Sequence, residues 1–191
     1  MDADLNDAEA LARSVDDPRW FAIVYRRHLL TVARYLTRRV GSEASEDLTA
    51  ELFLRAFRRR ADYQPRYATA LPWLMGIAGK LISEHRRDER RRLYALARLT
   101  SVPSECGYAP DGGLAPEFIA AVRKLSRSDR DTLLLVVWGE LSYEETAFAL
   151  GVAVGTVRSR VARARRRLAE AFDAPTASGH TRREGGAHAR G

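Results

Sequence analysis

With 191 residues, 46% of them apolar and 30% charged, the chain can bury a core as one domain or two small ones, which excludes a disordered or collagen-like polymer. The net charge is +7, and Lys80 and Lys124 are the only lysines among 32 basic residues. That bias points to a phosphate-bearing partner, since Arg offers a planar fork for bidentate contact, although GC-rich codon usage gives the same bias without function. A single Cys106 excludes an internal disulfide. With His28, His85, His180 and His188 scattered along the chain, no zinc-ligand spacing arises and no metal or other cofactor is expected. The first 17 residues are acidic and lack a basic start. No stretch approaches the roughly 18 apolar residues of a membrane span, so a cytoplasmic protein without membrane insertion is expected.

The predicted elements are all helical. Residues 1–18 read as disordered or briefly helical. Asp16, Asp17 and Pro18 make a helix start, and Phe21, Val24, His28, Val32, Leu36 and Val40 keep a spacing of three or four until Gly41. His28, on the apolar side, reads as a core or boundary histidine. A second helix begins at residues 42–46, where serines and acidic residues suit a positive helix end, and runs to about Arg60. Leu48 and Leu52 lie on one side of it, Phe53 and Phe57 elsewhere, and Leu54 widens the coverage. A surface so broad means either a central helix or one that binds something.

Residues 61–70 form a loop in which Tyr63 and Tyr67 flank Arg66, just ahead of Trp73. Aromatic rings interleaved with Arg suit splayed, unstacked bases, and equally suit covering a small core. A third helix starts at Leu71-Pro72-Trp73 and ends in a basic run including His85, Arg86 and Arg87, suited to phosphates. Residues 93–116 read as a linker. Pro103, Pro110 and Pro116 fall within it, and Glu105 and Asp111 outnumber Arg98. Cys106 there reads as an incidental thiol, because nothing nearby would lower its pKa. The tail from 173 lacks periodic apolar residues and reads as disordered.

Between linker and tail, residues 126–137 give a supporting helix with a continuous apolar run. Residues 142–168 then carry a helix-turn-helix pattern: Ser142 caps with Glu145, Ala147 is small at a crossing, and Gly151 supplies the turn. On the next helix, at 100° per residue, Val157, Val161, Ala164 and Leu168 fall within about a sixth of a turn. Arg158, Ser159, Ala162, Arg163 and Arg166 face the other way. Forked donors with little bulk between them are what a major groove admits. From 155 to 172 there are six Arg against Glu170, so the i,i+4 pairing of an ordinary solvated helix is almost absent.

At these residues the sequence resembles the bacterial sigma factors of the extracytoplasmic-function type. Residues 45–57 resemble the family's helix for core polymerase, residues 73–78 its −10 helix, and residues 141–147 with 155–160 its −35 reader. The resemblance implies an all-α fold of two small helical domains, a region-2-like bundle over 19–92 and a region-4-like helix-turn-helix over 117–172, on a flexible linker. It implies core RNA polymerase binding by Asp47, Leu48, Glu51, Leu52 and Arg55. It implies −10 strand capture by Tyr63, Arg66 and Trp73, with Lys80, His85 and Arg86 on nearby phosphates. Thr156, Arg158, Ser159, Arg160 and Arg163 would read or clamp the −35 element, Arg160 being better placed for a phosphate. Promoter DNA and an anti-sigma factor are the other partners implied, and the acidic linker would occupy a basic RNA channel. Ala50 replaces the family's usual Gln, and Gly79-Lys80 its Arg-Asn pair. Two other readings stay open: a stand-alone helix-turn-helix regulator whose first half senses or dimerises, and an enzyme, for which no Ser/His/Asp set or Gly-rich phosphate loop stands out.

Overall fold

The computed structural model describes residues 5–99 and 116–173. Eight α-helices lie within them: α1 (Asp7–Asp16), α2 (Phe21–Val40), α3 (Ser42–Arg58), α4 (Leu71–Leu99), α5 (Pro116–Lys124), α6 (Arg127–Val137), α7 (Tyr143–Leu150) and α8 (Val154–Asp173). No strand occurs among the described residues.

Local chemistry sets the boundaries. The Asn6 side chain accepts from the Glu9 amide at 2.9 Å while Glu9 accepts from the Asn6 amide at 3.3 Å, a reciprocal cap that starts α1. Residues 1–18 therefore include a docked helix, with Ala10 and Leu11 in the core. Asp17 caps a short 3-10 turn at Pro18–Trp20 ahead of α2. Gly41, at φ 87°, ends α2 and opens α3, a conformation that favours glycine.

Helix α4 is longer than the sequence reading allows. It absorbs residues 93–99, assigned there to the linker, because Leu and Ala favour helix and the first proline comes only at 103. The rest of the linker, Cys106 and the tail from 174 lie outside the described residues.

The broad apolar surface of α3 is that of a central helix. Leu52 and Ala56 are fully buried, Phe53 meets Tyr25 at 4.7 Å between ring centroids, and Phe57 meets Phe21 at 5.3 Å. Arg55 clips α3 to α4, donating to Glu51 at 2.7 Å and to Glu84 at 2.8 Å.

In the second half, Ser142 and Glu145 form the expected capping box, with amide contacts of 3.1 and 2.8 Å. Gly151 takes the left-handed conformation, at φ 66°, that turns α7 into α8. Val157, Val161 and Ala164 are buried, as their angular stripe requires.

The two halves pack face to face and share one hydrophobic cluster: Val122, Leu134, Leu135, Trp138 and Leu141 join the core of α1 to α4. Helix α7 lies so close to α4 that a Cβ added at Gly76 would sit 3.2 Å from the Ala149 carbonyl oxygen. Polar bridges cross the same seam. The buried Arg39, braced on its own helix by a 2.9 Å hydrogen bond to Tyr35 Oη, pairs across it with Asp131, while Arg127 donates to Ser83 Oγ at 2.6 Å. Among the described residues, no helix is long and apolar enough to cross a membrane.

Candidate nucleic-acid interface

Helix α8 presents its basic face outward. Arg158, Ser159 and Arg163 are exposed, while Thr156 and Arg160 are half-buried nearer the apolar stripe. Ser159 Oγ donates to the Thr156 carbonyl at 3.0 Å, a contact that costs little to exchange for a ligand acceptor. Arg158 has only a 3.8 Å approach to the exposed Glu144, too open and solvated to hold its guanidinium.

Arg163 is differently placed. It donates to the buried Asp129 carboxylate at 2.8 Å, and Asp129 also takes the Ser126 side chain into its contacts. The hydrogen bond from Arg163 holds the Asp129 carboxyl below the usual carboxylate range. Arg163 thus ties α8 to the first turn of α6 and fixes the angle at which the rest of the face is offered. Asp129 escaped the sequence reading, because a carboxylate three residues after a serine there reads as helix-start chemistry alone.

The second surface is the loop between α3 and α4. Tyr63 lies 5.1 Å from Trp73, rings tilted by 58°. Burial raises the Tyr63 hydroxyl pKa, and the Asp7 charge adds to it, so the phenol stays neutral. Arg66 is exposed, with its guanidinium 5.7 Å from the Phe148 ring. Tyr67 donates to the Glu144 carbonyl at 3.0 Å and meets Phe148 edge-on at 5.5 Å. The loop is therefore in contact with α7 from the other half.

Along α4, Lys80 is exposed and lines a cleft of about 350 Å³ with Arg39, Arg87, Arg127 and Asp131. His85 lies 3.5 Å from Glu89. Arg86 turns away from this surface, donating to the Arg39 carbonyl at 3.2 Å and lying 3.9 Å from Asp131. It belongs to the seam between the halves in this arrangement.

The five residues expected to meet a protein partner divide. Asp47 is exposed on α3, and Leu48, Glu51 and Arg55 are half-buried around it. Leu52 is 0% exposed, so it cannot present a side chain to another protein. Its place in the sequence-derived contact set is corrected to the core. The exposed large apolar residue of this helix is Leu54, at 41%.

Two family models match this sequence: sigma-70 region 2 over residues 24–92 and sigma-70, region 4 over residues 116–168. EcfG, an extracytoplasmic-function RNA polymerase sigma factor of Rhodopseudomonas palustris, is 36% identical over 135 residues, covering 67% of this chain and 71% of EcfG. The chain belongs to the extracytoplasmic-function sigma factors of the sigma-70 family. SigE of Mycolicibacterium smegmatis, another sigma factor of this type, is 37% identical over 158 residues, or 79% of this chain; the match spans 60% of SigE. The fold agrees with that of CnrH, solved in complex with the cytosolic domain of CnrY, at TM-score 0.65 and 22% identity, covering 89% of this chain and 99% of CnrH. Within this sigma factor the α8 face lies in the region 4 match, and the Tyr63–Trp73 pair and the α3 surface lie in the region 2 match.

Proposed function

We propose that the chain is a dissociable promoter-specificity subunit of RNA polymerase, with no catalysis of its own. The observation that supports the reading is that one chain carries two surfaces whose side-chain chemistry suits DNA in different states. The arginine and serine face of α8 suits the major groove of a duplex, and the Tyr63, Arg66 and Trp73 group suits an unstacked base. A regulator acting through its helix-turn-helix alone would need Tyr63 and Trp73 only for the core against which they pack, and would need no exposed Arg66 beside them.

In this reading α8 docks in the −35 element, where Arg158 and Ser159 address base edges and Thr156 and Arg160 the backbone. Arg163 acts through its hold on Asp129. The loop takes one base of the −10 strand onto its aromatic platform, and that capture offsets the few kcal/mol that unstacking costs. Lys80 and His85 neutralise adjoining phosphates, and Arg86 becomes available to them only when the seam between the halves opens. Core polymerase docks on the exposed side of α3, through Asp47, Leu48, Glu51, Leu54 and Arg55. A partner protein of the anti-sigma kind, as the family resemblance implies, would hold the factor in reserve.

Run-off transcription tests this. Purified protein with bacterial core polymerase on fragmented genomic DNA should yield new start sites that share paired upstream elements, absent with core alone. No new starts and no co-purification with core would leave a helix-turn-helix regulator.

A further inference from the structure

The loop that carries Tyr63, Arg66 and Tyr67 is fixed at both ends by α1. At its far end the Ala70 amide donates to Asp7 Oδ2 at 2.7 Å, one residue before α4 begins. At its near end Arg60 Nε donates to the Ser14 carbonyl at 2.9 Å. Asp7 and Ser14 are seven residues apart on one helix, about 10 Å at 1.5 Å per residue. Helix α1 is therefore a strut of fixed length between the two ends of a loop whose middle, Gln64, Pro65, Arg66, Ala68 and Thr69, is exposed.

Asp7 is poorly explained as a source of stability alone. It is 1% exposed and collects three donors: the Ala70 amide, His28 Nε2 at 2.6 Å and Arg27 from α2. A buried charge must recover its desolvation before it stabilises anything, and apolar replacements often do as well. What an ionised carboxylate adds is direction, since each donor must approach it in a fixed geometry. Here the donors come from α2 and from the residue just before α4, so Asp7 sets α1, α2 and the end of the loop relative to one another.

We propose that Asp7 is a positioning residue for base capture: through α1 it holds the 63–70 loop in the conformation that receives an unstacked −10 base. The inference rests on the −10 reading above. Capture by stacking is worth about 1–3 kcal/mol per base, so a loop held in register discriminates about 5- to 150-fold between an intact −10 strand and one abasic at the captured position. A loop released at either end loses that discrimination.

The test uses the full chain assembled with core polymerase and labelled single-stranded oligonucleotides carrying the −10 sequence found by run-off, intact or abasic at each position in turn. The readout is the affinity ratio of intact to abasic strand. A purely structural defect lowers the fraction of active holoenzyme and leaves this ratio unchanged. Asp7→Ala is expected to bring the ratio to within about threefold of unity, with core binding and duplex −35 binding retained. Asp7→Asn, which keeps an acceptor for the Ala70 amide, is expected to preserve most of it. Arg60→Ala releases the other end and is expected to act like Asp7→Ala; it carries the test alone if Asp7→Ala does not fold. An unchanged ratio in Asp7→Ala, or in Arg60→Ala if only that variant folds, overturns the proposal. A wild-type ratio near unity at every position instead overturns the base-capture reading beneath it.

Discussion

The two surfaces proposed to meet DNA are built on opposite plans. The α8 face rests on a regular helix, where position follows from the 3.6-residue period, and one long-range contact, Arg163 to Asp129, trims its angle. The 63–70 loop has no period to hold it. Its shape depends on Arg60, Asp7 and Tyr67, which reach partners 46, 63 and 77 residues away in sequence. A surface for duplex DNA can be stiff and local because the groove it meets is regular, whereas a surface for an unstacked base must be irregular and is secured from outside itself.

The largest expected effect comes from breaking the core around α3. Leu52→Ala should cost about 2–5 kcal/mol of unfolding free energy by denaturant titration. Leu54→Glu, two positions along, should cost no more than about 0.5 kcal/mol, as surface changes do, yet weaken binding to core polymerase in a pull-down. Equal stability losses from both would mean that Leu52 is not the buried member of the pair.

Arg158→Ala should lose about 1–3 kcal/mol of affinity for −35 duplex if it makes a bidentate base contact, with relaxed sequence preference by competitive binding. The same substitution should leave the intact-to-abasic ratio on −10 strand untouched, because the two surfaces share no residue. Loss on both probes would join what the comparison separates.

Acid acts on both plans, since Asp129 under the α8 face and Asp7 under the loop each hold a lowered carboxyl. Burial alone would raise the Asp7 pKa, but the donors from His28, Ala70 and Arg27 outweigh it and leave the carboxyl below its ordinary 3.8. A group lowered on folding contributes stability that is fully present above its unfolded pKa and is lost as pH falls through the folded one. The stability difference between wild type and Asp7→Asn should therefore shrink as the pH falls below about 4 in denaturant titrations. A difference that grew on acidification would reverse the sign of the Asp7 contribution. The smallest effect expected is that of Ser142→Ala, about 1 kcal/mol from the lost α7 cap, read as a lower thermal midpoint.

The same contrast explains what the sequence revealed. The stripe of Val157, Val161 and Ala164, the Ser142 and Glu145 box and the Gly151 turn are local and were legible. On α3 the angles show that apolar residues surround the helix, but not which sides neighbours will cover, so Leu52 and Leu54 were indistinguishable in kind. Docking of α1 was illegible because its anchor is a carboxylate, which in sequence looks like helix-start chemistry. The seam between the halves was also hidden. Trp138 and Leu141 read as apolar residues of the second half, and nothing adjacent to them says that the first half completes their burial.

That shared cluster sets a toll on engagement. Elements named −35 and −10 lie about 25 base pairs apart, roughly 85 Å at 3.4 Å per pair, while a compact body of some 150 residues has a radius of gyration of only about 15 Å. If both elements are bound at once, as the proposed function requires, a chain folded over the contact of Gly76 with Ala149 cannot span them, and only a fraction with its halves apart would be competent to do so. The apparent dissociation constant rises in proportion as that fraction falls. Under the proposed function, each 1.4 kcal/mol that closes the seam would cost tenfold in apparent promoter affinity, and substitutions at Arg39, Asp131 or Gly76 would shift that affinity without touching a single base.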